Sequence, residues 1–314
     1  MTESTSSSLA SAAYKPKRGQ AHNFDFSRVP ADMPVIDVHA HIYPDKIAAK
    51  AVAAVGKFYC YEDMSGEGTP DDLLNLCAGS PITTCIVHSV ATTAKSVPSI
   101  NTFLAEQGRL RPELISFGTM HQDFPDKEAE VERALELGIR GFKLHPDTQE
   151  VNMDDPRLME FYEIIAGRVP LIMHTGDYRY DYSNPKRLVN VMNTFPDLVV
   201  NAAHLGGWSI YDIGFDILHE RPLAEGRLFV DVSSAFAWVG RRHMRELVRM
   251  WGADRVMFGS DYPMWDPQVE LNELLCCGLN DDELEQVLHL NAERFVGMST
   301  EPIGASPRMA GHLG

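Results

Sequence analysis

Eight short apolar runs, separated by amphipathic stretches, constrain this 314-residue chain more than any other feature. The runs are PVIDVHAHI (34–42), ITTCIVHSV (82–90), LISFGTMH (114–121), GIRGFKLH (138–145), PLIMHTG (170–176), LVVNAAHLGG (198–207), LFVDVSSA (228–235) and RVMFGSDYP (255–263). Each is rich in Val, Ile, Leu or Phe and lies near a Gly or Pro, the pattern of strands covered on both faces. Between them, DKEAEVERALELG (126–138) sets Val131, Leu135 and Gly138 at helical steps, with acids crowding the first turn and Gly138 as a stop. Residues 155–168, 184–196, 239–252 and 281–297 read the same way, and Pro156 and Pro185 fall where a first-turn proline is tolerated. This alternation predicts an α/β chain closed into a (β/α)8 TIM barrel, one domain over residues 31–297. A doubly wound open sheet is the alternative, but its GxGxxG after the first strand is missing.

The ends of the chain read differently. Residues 1–30 are rich in Ser, Thr and Ala, and residues 298–314 in Gly, Pro and Ser, so both are expected to be loose tails. The stretch from Lys57 to Pro81 reads as a long inserted loop over the barrel mouth. A net charge of −16 opposes binding to nucleic acid or to an anionic membrane. Five cysteines, an odd number with no CxxC, predict free thiols rather than disulfides or a thiolate zinc site. No secretory signal pattern and no long apolar span are present, so a cytoplasmic location is expected.

A barrel enzyme carries its chemistry at the carboxyl ends of its strands, and the ionisable residues cluster there. Strand 1 ends in His39-Ala40-His41, two imidazoles on one face. Strand 4 ends in Lys143-Leu144-His145, strand 5 in His174, strand 6 in His204 and strand 8 in Asp261. Buried ionisable groups are costly unless paired or ligated. His39, His41, His174 and Asp261 suffice to hold a divalent metal and leave a position for water. Zinc is the first expectation and manganese the second.

In this order HAH, GFKLHP, MHTG, AHLGG, FGSDYP and NAERF resemble the amidohydrolase superfamily, over residues 34–296. More narrowly they resemble the amidohydrolase-related branch that includes aminocarboxymuconate-semialdehyde decarboxylase and several lactone hydrolases. The resemblance implies one metal on His39, His41, His174 and Asp261. His204 would steer or deprotonate a water, and Asp261 would also shuttle a proton. Lys143 would contact a substrate carboxylate together with His145; the alternatives are a carboxylated Lys143 bridging two metals, or a structural lysine. Tyr43 is expected to line the pocket and Trp208 to stack on a planar substrate or pack in the core. Arg179, Arg241 and Arg242 read as surface arginines, and His88 and His121 as structural.

The first functional expectation is a metal-dependent hydrolase of a small lactone, ester or amide. The alternative is a nonoxidative decarboxylase of an aromatic or unsaturated acid; the two histidines of the strand-1 pair permit either reaction. A hydratase and a barrel without catalysis come behind them. The expected partner is a small carboxylic acid, and a homodimer is expected by analogy alone.

Overall fold

The computed structural model describes residues 23–219 and 227–297. Its strands are β1 (Val35–His41), β2 (Ile82–His88), β3 (Leu114–Thr119), β4 (Gly141–Leu144), β5 (Leu171–Met173), β6 (Val200–Ala202), β7 (Leu228–Asp231) and β8 (Val256–Met257). Each lies inside one of the eight apolar runs. Neighbours pair in parallel, in sequence order from β1 to β8. The segment after β8 returns to β1 through three backbone bonds: Val38 N–H to Phe258 O (2.9 Å), Asp261 N–H to His39 O (2.7 Å) and His41 N–H to Tyr262 O (2.7 Å). The expected TIM barrel is thus observed.

The helices are α1 (Asp45–Tyr59), α2 (Pro70–Cys77), α3 (Val97–Leu110), α4 (Lys127–Glu136), α5 (Pro146–Gln149), α6 (Pro156–Ile165), α7 (Pro185–Thr194), α8 (Tyr211–Leu218), α9 (Phe236–Trp251), α10 (Pro267–Leu275), α11 (Asp281–Glu285) and α12 (Asn291–Val296). Pro156 and Pro185 open their helices behind the caps Asp155 and Asn184, whose side chains accept the N–H groups of Arg157 and Lys186. The stretch read as a loop from Lys57 to Pro81 is helical in two places: α1 runs on to Tyr59, and Thr69 caps α2. Among the described residues no helix is long and apolar enough to cross a membrane. All five cysteines are free.

Side chains that alternate along the strands build two cores. The outer one lies between strands and helices; the inner one fills the barrel with Ile36, Val38, Ile86, Phe117, Ile172, Phe229 and Met257. The NAERF segment joins the inner core. Phe295 packs on Phe117 and Phe229 at centroid distances of 6.0 and 5.6 Å, and the Asn291 amide donates to Val256 O and Ala253 O. Residues 1–22 and 298–314 of the expected tails lie outside the described residues. Residues 23–30 are docked: Val29 is buried, and Arg28 donates to Leu275 O, Leu279 O and Asp281.

Candidate active site

The register between β1 and β2 shifts between Asp37 and Ala40. A bulge of this kind re-aims side chains. Ile36 and Val38 face the inner core and Ala40 the outer one, while His39 and His41 both reach the barrel mouth. There His39 Nε2 and His41 Nε2 lie 3.5 and 3.4 Å from Asp261 Oδ1. The other oxygen of Asp261 accepts from Ser234 Oγ, which in turn accepts from the Trp265 indole. Burial opposes ionisation of Asp261, but His39 and the hydrogen bond from His41 outweigh it and hold the carboxyl below the usual carboxylate range.

Behind His39 stands Asp231. Its Oδ2 accepts from His39 Nδ1 (3.0 Å) and from the Asn201 amide (2.7 Å). Its Oδ1 accepts from the backbone N–H of His204 and Ser233 and from the Ser233 hydroxyl. A carboxylate on Nδ1 fixes the tautomer that leaves Nε2 as a lone pair facing the cavity. Burial, then the Lys143 ammonium, pushes His39 down to about 3, so the ring is a neutral donor. Burial also pushes Lys143 down to about 8; its Nζ lies 3.2 Å from His39 Nε2.

On the facing wall His204 Nε2 and His174 Nδ1 are 3.0 Å apart, and a proton or a cation must separate two such lone pairs. His174 Nε2 faces Asp147 Oδ2 at 3.5 Å and is buried without a hydrogen bond. The His145 ring stacks on His174 at 3.8 Å, and its Nε2 is 2.7 Å from the Tyr59 hydroxyl. Burial lowers His145 and His174 well below the ordinary imidazole value. Asp147, raised to about 6 by burial, accepts from Ser183.

His204 (φ 60°), Ser234 (φ 54°) and Asp261 (φ 60°) all adopt left-handed backbone, a strained state that clusters at functional sites. The glycines of MHTG and AHLGG let the two loops meet. A Cβ on Gly176 would stand 2.6 Å from Gly207 Cα.

His39, His41, Tyr43, Lys143, His145, His174, His204 and Asp261 all line one cavity of 570 Å3. Trp208 does not; it stands behind Tyr59, 5.0 Å between centroids. Arg179 is half-buried rather than solvated: it pairs with Asp177, donates to Phe58 O and lies over the rings of Phe58, Tyr59 and Trp208. Arg241 and Arg242 pair with Glu273 and Glu246 on the surface. His88, read as structural, packs edge-on against His39 and His41, and both its ring nitrogens are buried without a partner.

Neutral imidazoles, a carboxylate and orphaned ring nitrogens form the donor set that a divalent cation takes. Among the described residues three groups are close enough to share an ion: His39, His41 and His88; His39, His204 and Asp261; and His145, Asp147 and His174. The expected ligand His174 falls in the last of these, while His204, expected to act on water, groups with His39 and Asp261.

Several solved structures share the fold. An uncharacterised TIM-barrel protein of Bordetella bronchiseptica aligns with a TM-score of 0.68 and 21% identity, covering 84% of this chain and 99% of that one. The 5-carboxyvanillate decarboxylase of Sphingomonas paucimobilis aligns at 0.63 and 15%, covering 85% and 99%. A dihydroxybenzoic acid decarboxylase of Polaromonas, solved with manganese and 2-nitroresorcinol, aligns at 0.64 and 14%, covering 85% and 97%. No curated protein matches by sequence. Residues 36–298, which run from β1 past α12 and include every strand end described above, match the amidohydrolase family, and the chain belongs to it.

Proposed function

We propose that the chain is a nonoxidative decarboxylase of an aromatic or unsaturated carboxylic acid. The observation that carries this reading is the polar end of the cavity, where Lys143, Asp261 and five imidazoles meet beneath an apolar, aromatic-edged wall. Two structural relatives named above, a dihydroxybenzoic acid decarboxylase and a 5-carboxyvanillate decarboxylase, support this reading over hydrolysis.

In this reading His39, His41 and Asp261 hold one divalent ion, zinc or manganese, with His174 or His204 as a further ligand. When bound, the ion supplies Lewis acidity toward the oxygens of the acid and the charge that develops on it. Lys143 offers N–H donors to the same oxygens. The Tyr59–His145 bond and the stacked His174 fix the wall against which a planar acid lies. The bond between the carboxylate carbon and the substrate carbon breaks, its electron pair stays on the substrate carbon, and Asp261 or His204 relays to that carbon a proton taken from solvent water as carbon dioxide leaves.

The test is a panel of hydroxybenzoates and muconate-type acids, each labelled at its carboxylate carbon. Labelled carbon dioxide, lost in Asp261→Asn, supports the proposal. Acid released from lactones with no gas from any member of the panel would restore the hydrolase.

A further inference from the structure

The cavity is much larger than its polar end. A single benzene ring is enclosed by about 150 Å3, whereas this cavity measures 570 Å3. The excess lies between two helices. From α1 come Ile47, Ala51, Ala54, Val55 and Phe58, at helical steps along one face. That stripe runs roughly 16 Å at 1.5 Å per residue. Opposite it, α3 presents Ser99, Ile100 and Phe103, again at steps of one face. These walls are only partly covered: Ile47 is 49% exposed, Ala54 is exposed, and Val55, Ile100 and Phe103 are half-buried. A continuous apolar face left open beside a polar cluster is how a binding groove looks.

We propose that the substrate is an acid with a long apolar extension: its carboxylate sits at Lys143 and the imidazoles, and its tail lies between α1 and α3. This rests on the acid-binding reading above for the head, and on the groove alone for the tail. The occupant is argued from continuity, because one cavity joins the two ends and no charged side chain of α1 or α3 lines it.

The test uses the full-length, metal-loaded protein and two probe series, n-alkanoates from acetate to decanoate and 1-alkanols of matching length, with Kd from titration calorimetry. In the wild type, Kd falls about fourfold per methylene in both series, the worth of one buried CH2. In Ala54→Trp, which fills the groove, and in Ile47→Asp, which charges it, that gradient flattens. Circular dichroism confirms that both variants fold. A gradient absent from both series in the wild type, or unchanged in both variants, overturns the proposal. So does a flat gradient accompanied by a dimer that Ile47→Asp converts to monomer in sedimentation, which makes the groove a subunit contact. The preference for alkanoate over alkanol, and its loss in Lys143→Met, reads the acid site separately. If that preference is absent while the gradient persists, the head-group reading fails and the groove stands.

Discussion

Asp231 stands one layer behind the cavity, yet five donors converge on it, from His39, Asn201, His204 and Ser233. Its work is to orient His39. Asp231→Asn should therefore weaken metal binding about 10–100-fold, read by competition with a chromophoric chelator, while circular dichroism stays unchanged. Glu270, at the start of α10, is a second buried carboxyl with the opposite fate. One of its oxygens has no hydrogen bond, and burial, then the neighbouring Glu273, raises it well above the carboxylate range. The sign follows directly. A raised pKa in the fold keeps the full contribution of Glu270 to stability below its unfolded value, and that contribution is lost as pH rises through the folded one. Glu270→Gln should thus be the more stable protein at pH 8, by on the order of 1 kcal/mol. The gap should close near pH 4 in denaturant titrations, and a gap independent of pH would refute it.

The strand ends were legible one element at a time. A period of two put His39 and His41 on one face, and the apolar runs located all eight strands. The bulge in β1 was not legible, since it depends on pairing with β2. Nor were Asp231, Asp147 and Tyr59. Asp231 looks like any polar residue leaving a strand, Asp147 like an ordinary first-turn acid, and Tyr59 lies in a stretch read as loop. Only the closed barrel brings them to the imidazoles. His88 was undervalued because a lone strand-end histidine is most often packed, and its two bare nitrogens show only in three dimensions. At this scale α12 invites a test. Phe295 caps the inner core, and Phe295→Ala should cost about 3–5 kcal/mol in a denaturant titration of the full chain. The same loss from a surface change such as Leu137→Ala would show that the plug is not special.

Across the whole molecule, metal and fold should be linked. An ion that binds only the folded barrel stabilises it by about 2.7 kcal/mol at a hundredfold excess over its Kd, so chelation should lower the melting temperature and added Zn2+ or Mn2+ restore it. Metal analysis also decides Lys143. Near one ion per chain is expected with its amine 3.2 Å from His39 Nε2, free to meet a carboxylate; near two would mean a bridging carbamate. The seam of the barrel has a consequence of another kind. Asp261 N–H bonds to His39 O, so the first and last strands meet where the donors meet. On the ribosome, His39 and His41 emerge long before Asp261. If His39, His41 and Asp261 share an ion, a nascent chain has no complete cage for it until its eighth strand has cleared the exit tunnel, and metal uptake in the cell then follows closure of the barrel rather than preceding it.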